Sequence, residues 1–357
     1  MPAPIAITDV RVCDGERLSE PTTVVIDGAT VGTGGVGAEV VDGRGSVLLP
    51  GLVDAHVHLL ALDELGRLAD FGVTTALDMA CWPPPHVDAL RGHAPDIRSA
   101  GTPAIGAGGT HARLPGMPAD AILTGTEQAE PFVAKRVAEG SDYIKVVIEW
   151  PGPDLLDQAT IDAIVAAARA HGKLSVAHAS SVAAYRMAVN AGADVITHVP
   201  RDGIVDAETV ARMVECGQIA VPTLTMMEAV VGQLRPPGDD YAYSRDSVAA
   251  LHTAGVPILA GTDAAAVPML PHPVRHGESL HDELALLVDA GLTAVEALRS
   301  ATVLPARHFD LAHRGAVVPG LRADLVLVDG NPLMDIAATR RIRHVWCAGT
   351  EHIRGTA

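Results

Sequence analysis

Short apolar runs alternate with Ala-rich segments of helical period through the middle of this sequence. Residues 160–170 illustrate the helical pattern, because their apolar side chains recur at positions 161, 164, 165 and 168 and so share one helix face. The candidate strands are 48–58, 73–79, 97–105, 143–149, 174–178, 194–198, 219–224 and 256–263. Strands that alternate with helices indicate a parallel α/β sheet, and this number of repeats predicts a (β/α)₈ TIM barrel rather than an open sheet.

The two ends of the chain have a different pattern. Residues 5–47 consist of short runs in which β-branched and polar residues alternate between Gly-rich turns, and the same pattern returns after Leu311 in RGAVVPG, ADLVLVDG and HVWCAGTEH. We therefore predict that residues 1–49 and 314–357 form one small β-sandwich domain. Residues 50–313 would form the barrel.

Composition narrows the classes of partner. The chain has 357 residues, which fits one barrel with a small accessory domain, and its net charge of −17 disfavours binding to nucleic acid. It contains no apolar run long enough to cross a bilayer and no basic N-terminal leader, so neither a membrane protein nor a signal peptide is indicated. Four scattered cysteines are typical of reduced thiols in a cytoplasmic protein. A small-molecule substrate is expected, and a homo-oligomer stays an option.

A His-x-His pair ends the first candidate strand of the barrel. Side chains two positions apart on a strand point to the same face, so His56 and His58 can both reach one metal ion. Such a pair alone is a weak signal. Its position at a strand end strengthens the indication of a metal site, because the functional face of a barrel lies at the carboxyl ends of the strands.

Other potential metal ligands repeat this position. His178 ends the fifth candidate strand, His198 ends the sixth, and Asp263 ends the eighth. A single histidine at a strand end is usually a satisfied polar residue, but this repetition indicates a metal centre. Imidazole and carboxylate groups suit zinc, manganese, iron or nickel.

Lys145 lies within the apolar strand YIKVVIE. An unpaired buried ammonium is costly, and a neutral lysine can add carbon dioxide to form an anionic carbamate that bridges two cations. The alternative is a packing residue that extends to solvent or pairs with an acid such as Glu149. The residue chemistry alone leaves both interpretations open, and the surrounding histidines favour the metal bridge.

Eight stretches carry a resemblance to a known family. They are LLPGLVDAHVHL, FGVTTALDM, YIKVVIE, VAHA, ADVITHV, AGVPILAGTDA, HDELALLVDAGLTAVEALRSAT and GLRADLVLVDGNPL, and they extend over nearly the whole chain. The sequence resembles the amidohydrolase superfamily, specifically its imidazolonepropionase-like and metal-dependent dipeptidase (prolidase-like) members. The resemblance implies two metal subsites with the following ligands: His56, His58 and Asp263 for one, His178 and His198 for the other, and carboxylated Lys145 as the bridge.

The resemblance also implies a reaction. Two divalent cations, with Zn²⁺ expected and Mn²⁺, Fe²⁺ or Ni²⁺ as alternatives, would share a water, lower its pKa and supply hydroxide. Asp263 would act as general base and then as general acid. The expected reaction is hydrolysis of an amide-type C–N bond in an N-acyl amino acid, a dipeptide or a cyclic amide. The alternatives are a one-metal ring-opening hydrolase or deaminase, an esterase or lactonase, and a non-catalytic member of the family that acts in assembly.

Weaker candidates lie in the loops. His111, in GAGGTHARLPG, resembles a substrate-contacting histidine of related dipeptidases, so we predict a catalytic role, with a solvent-exposed loop histidine as the alternative. Arg113 and Arg201 are candidate ligands for a substrate carboxylate, although a surface position is the simpler interpretation of each. The polar stretch 232–246 is either a lid or a variable excursion.

Overall fold

The computed structural model describes residues 3–266 and 270–353. The strands in these ranges are β1 (Ile5–Val12), β2 (Thr22–Asp27), β3 (Thr30–Gly32), β4 (Glu39–Asp42), β5 (Val47–Pro50), β6 (Leu52–Val57), β7 (Val73–Asp78), β8 (Asp96–Ser99), β9 (Ala104–Gly106), β10 (Ile122–Leu123), β11 (Ile144–Val147), β12 (Ser175–His178), β13 (Val195–Thr197), β14 (Ile219–Val221), β15 (Leu325–Val328), β16 (Ile342–Cys347) and β17 (Thr350–Glu351). The α-helices are α1 (Leu62–Asp70), α2 (Pro84–Leu90), α3 (Ala129–Ala138), α4 (Gln158–Ala170), α5 (Val182–Ala191), α6 (Ala207–Cys216), α7 (Leu224–Leu234), α8 (Tyr241–Thr253), α9 (Glu278–Asp289), α10 (Ala294–Ser300) and α11 (Val303–His308).

One sheet combines strands from both ends of the chain. Its order is β17-β16-β15-β5-β1-β2-β3, with β4 paired to β1. Strand β15 lies between β5 and β16, antiparallel to both, and every residue in it is buried. Ile7, Leu48 and Trp346 belong to the apolar cluster on this sheet. The sandwich arrangement and the domain boundaries at residues 49 and 314 stay predictions.

The middle of the chain forms an α/β fold with two parallel sheets, as the alternating pattern predicted. One sheet has the order β10-β9-β11-β12-β13-β14 and the other has the order β6-β7-β8. All residues of β6 and β7 are buried, which is typical of parallel strands that are covered on both faces. The parallel sheets bring the carboxyl ends of neighbouring strands to the same edge, where side chains from successive strands meet.

Two candidate strands differ from the sequence prediction. The third, 97–105, is interrupted between β8 and β9, where Gly101 has a φ of 65°. The eighth, 256–263, forms no regular strand. It has single bridges from Ile258 to Ala220 and from Ala264 to Val57. Its backbone still bonds to both sheets, since Leu259 N donates to Ala220 O and Ala55 N donates to Ala260 O, each at 2.9 Å. Pro257 contributes to the irregularity because it has no N–H to donate.

The helices begin and end at residues that satisfy their free backbone groups. Asp157 accepts a hydrogen bond from Thr160 N at the start of α4, and Ser181 accepts one from Ala184 N at the start of α5. Helix α5 ends at Gly192, which has a φ of 72°, a left-handed conformation that glycine adopts without steric cost. Within the described ranges, no helix combines the length and apolarity needed to cross a membrane.

Candidate metal centre

The six side chains that the sequence predicts as metal ligands line one pocket of about 610 Å³. Five of the six lie in a strand or just after one: His56 in β6, His58 after β6, Lys145 in β11, His178 at the end of β12 and His198 after β13. Asp263 lies in the irregular segment that follows α8. Strand geometry therefore brings together residues that are up to about two hundred positions apart in sequence, because parallel strands end at a common edge.

Asp263 lies between the histidines. Its Oδ1 is 3.2 Å from His56 Nε2 and 3.0 Å from His58 Nε2, and its Oδ2 is 3.8 Å from His198 Nδ1. Donor atoms of His56, His198 and Asp263 all lie within 4.8 Å of one another. The family resemblance implied that His198 belongs to a different subsite from His56 and Asp263, so the two predicted subsites adjoin directly.

His56 is the predicted ligand histidine least satisfied by protein groups. Neither ring nitrogen of His56 has a hydrogen-bond partner of good geometry among the described residues, and burial lowers the pKa of His56 to about 3. Burial also lowers the pKa values of His178 and His198 well below the usual range. These neutral rings keep a lone pair, which is the form that binds a metal ion.

Asp263 is held in its anionic form. Burial alone would raise its pKa, but the neighbouring His56 and His58 side chains lower the pKa well below the usual range. Its backbone has a φ of 59°, a left-handed conformation that is uncommon outside glycine. The chain bends sharply here and directs the carboxylate toward the histidines.

Lys145 is buried, with 3% of its surface exposed. Its Nζ donates a hydrogen bond of 3.0 Å to Thr197 Oγ1, and burial lowers its pKa to about 7. The structure thus disagrees with a lysine that extends to solvent. Glu149, the acid considered as its partner, instead contacts His111 and accepts a hydrogen bond from Thr110 N.

His111 lies in a short 3₁₀ helix after β9 and lines the pocket. Its Nδ1 is 3.1 Å from Glu149 Oε1, and its ring centroid is 4.8 Å from that of His178. The loop thus brings His111 beside the predicted ligands rather than into solvent. Its catalytic role stays a prediction.

The arginine candidates differ in position. Arg201 lines the pocket, and its Nη1 is 3.1 Å from Asp239 Oδ2. Arg113 is exposed and is not among the described residues that line the pocket. The stretch 232–246 is not one irregular excursion, because α7 extends to Leu234 and α8 begins at Tyr241. The short connection 235–240 contributes to the pocket wall, and a lid function for it is an untested prediction.

Several supporting residues had no recognisable sequence signal. Thr223 Oγ1 is 2.8 Å from His198 Nδ1. Asp54 accepts hydrogen bonds from His56 N and from Thr262 N and Oγ1, which joins β6 to the segment that carries Asp263. Thr and Asp are common in any loop, so only the folded structure identifies these contacts.

Replacing Thr223 by Val is expected to weaken metal binding or lower kcat/KM by about 10–100-fold, because the hydroxyl that orients the His198 ring is lost. Metal titration and steady-state kinetics would measure the effect. Thr223→Ser keeps the hydroxyl and serves as the matched control. Equal metal affinity and kcat/KM in the Val and Ser variants would contradict this role.

Comparisons with known proteins show which family the sequence is similar to. The sequence model described as the Amidohydrolase family matches residues 47–351. An uncharacterised protein of Mycobacterium tuberculosis is 32% identical over 289 residues, which cover 72% of this chain and 73% of that protein. The imidazolonepropionase of Deinococcus deserti is 31% identical over 194 residues, which cover 52% of this chain and 44% of that protein.

A solved structure is similar over the full length. It is described as a prolidase complexed with N-methylphosphonate-L-proline, is 26% identical, and has a TM-score of 0.83 over 99% of this chain and 100% of that chain. The predicted resemblance to imidazolonepropionase-like and prolidase-like amidohydrolases is thereby confirmed.

Proposed function

We propose that this chain, which belongs to the amidohydrolase family, is a metal-dependent hydrolase that cleaves an amide-type C–N bond. The observation that carries the proposal is the convergence of His56, His58, His178, His198, Lys145 and Asp263 on one pocket. Similarity to a solved prolidase supports an amide-type bond over an ester. For the fold, the backbone bonds between segment 256–264 and both parallel sheets support a closed (β/α)₈ barrel. The sheet that joins strands from both ends of the chain supports a β-domain beside it.

The described residues fit a metal centre. The ring nitrogens of His56 are buried without a well-aligned hydrogen bond to any described residue, although Asp263 Oδ1 lies 3.2 Å from Nε2, and this is costly unless another partner satisfies them. In the proposed assignment His56, His58 and Asp263 would hold one cation, His178 and His198 would hold the second, and Lys145, once N6-carboxylated by carbon dioxide, would supply an anionic ligand to both. Bound divalent cations would lower the pKa of water and polarise the substrate carbonyl.

The protein groups perform the proton transfer and the positioning. Asp263 is anionic, lies at the centre of the cluster and can accept a proton from the attacking water and return it to the leaving amine. His111, beside His178 and oriented by Glu149, can contact the substrate at the other side of the pocket. Thr197 and Thr223 hold Lys145 and His198 in place.

Metal analysis combined with a hydrolysis screen tests this function. Purified protein should contain about two divalent ions per chain and should hydrolyse members of a panel of N-acyl amino acids, dipeptides, lactams, cyclic imides and N-acyl amines. About one ion, with ring opening or deamination activity, would favour the one-metal alternative; ester or lactone hydrolysis alone would favour an esterase. A protein that binds no metal and hydrolyses none of these compounds would contradict the proposal.

A further inference from the structure

The wall of the pocket beyond the metal-ligand cluster is predominantly apolar. Trp82, Leu114 and Trp150 come from loops that follow strands, and Met226, Met227 and Val230 come from α7. Met226 and Met227 are buried, and Trp150 is 40% exposed at the mouth. Flat indole rings and flexible thioethers suit a bulky apolar group, and they offer a carboxylate no favourable partner.

The one guanidinium in the described pocket wall is already neutralised. Arg201 Nη1 is 3.1 Å from Asp239 Oδ2, and the two side chains are only 21% and 13% exposed. Asp240 N donates a hydrogen bond of 2.8 Å to Arg201 O, so the backbone next to Asp239 is tied to Arg201. The Nε of Arg201 is buried and has no hydrogen-bond partner of good geometry among the described residues, so Asp239 is the anion that this guanidinium contacts.

The remaining charges in the wall would repel an anion. Glu149 and Asp202 line the same pocket, and each already accepts a hydrogen bond from the backbone, from Thr110 N and Val182 N respectively. A substrate carboxylate would compete with Asp239 for Arg201, and breaking a partly buried ion pair is costly because it leaves a desolvated charge.

We infer that the substrate is an amide whose flanking groups are apolar and carry no carboxylate. This inference rests on the proposed amide hydrolase function and narrows its substrate class. It disfavours N-acyl amino acids and dipeptides, both of which carry a carboxylate. It also distinguishes this chain from the similar prolidase, whose bound ligand is a derivative of proline.

Two compounds that differ only in a carboxylate test the inference. N-benzoyl-phenethylamine is neutral, and N-benzoyl-L-phenylalanine is the same amide with a carboxylate on the amine side. The metal-loaded wild-type enzyme should show a kcat/KM about tenfold or more higher for the neutral compound, measured as released amine. Calorimetric titration of both compounds should show the same preference in binding. A smaller or reversed preference in binding would overturn the inference.

Asp239→Asn examines the cause of this preference. The substitution frees the charge of Arg201, so the kcat/KM ratio should shift toward the carboxylate compound by about tenfold. Asp246→Asn, which removes the partner of Arg245 on an exposed part of α8, is the matched control and should leave the ratio unchanged. An unchanged ratio in folded Asp239→Asn protein would overturn the role of the ion pair.

The measurements test the hydrolase function and the substrate preference separately. Tight binding of the neutral compound without hydrolysis of either compound or of the wider panel would contradict the hydrolase function, whereas the preference of the pocket for a ligand without a carboxylate would stand. Hydrolysis of both compounds with preferred binding of the carboxylate would overturn only the inference.

Discussion

Asp263→Asn should lower turnover by about 10²–10⁴-fold, the usual contribution of a general acid–base group. Asn has nearly the same shape as Asp, so the bend at this residue and most of the fold should be retained. The amide cannot accept a proton from water at neutral pH. The loss should therefore appear in kcat, with a smaller change in KM.

The contacts of Asp263 support this prediction. The carboxylate contacts both histidines of the His-x-His pair through one oxygen, and the surrounding imidazoles lower its pKa. Loss of the negative charge will also weaken metal binding, so metal content must be measured in the same samples. Asp282→Asn, at an exposed carboxylate paired with Arg340, is the matched control. A near-native rate with intact metal content in Asp263→Asn would exclude the proton-transfer role.

The sequence predicted which side chains meet in the pocket because parallel strands bring residues that are distant in sequence to a common edge. His178 and His198 each end an apolar run, and parallel strands bring such ends to one edge. The buried position of Lys145 was likewise indicated by the apolar residues on either side of it. These predictions needed only strand positions, which hydrophobic periodicity identifies well.

Contacts made by loops could not be predicted in this way. The pair formed by Arg201 and Asp239 joins two loops whose relative positions depend on the packing of α7 and α8. The apolar residues around Ile258 predict a strand. In the structure the backbone of this segment makes only single bridges to its neighbours, which the sequence pattern does not indicate. Local patterns identify buried segments, whereas backbone pairing and loop conformation depend on the whole fold.

Lys145→Ala should remove metal and activity together. The proposed carbamate would bridge both cations, and without it the two positive charges would repel each other across a buried site of low dielectric constant. The second cation should leave first, since His178 and His198 would be its only remaining ligands. A short carboxylic acid such as acetate should restore part of both metal content and activity, because it can occupy the vacated position.

Lys145→Met distinguishes the bridge from a packing role. Methionine fills a similar volume and removes the need to bury an amine that bonds to Thr197, so a packing residue would tolerate the change with activity nearly intact. A bridging residue would not, and metal content should then fall from about two ions to one or fewer per chain. Lys135→Met, on the exposed face of α3, is the control for loss of a lysine charge. A fully active Lys145→Met enzyme would overturn the two-metal proposal and favour a one-metal hydrolase, because an essential bridging ligand cannot be replaced by a thioether that has no anionic oxygen.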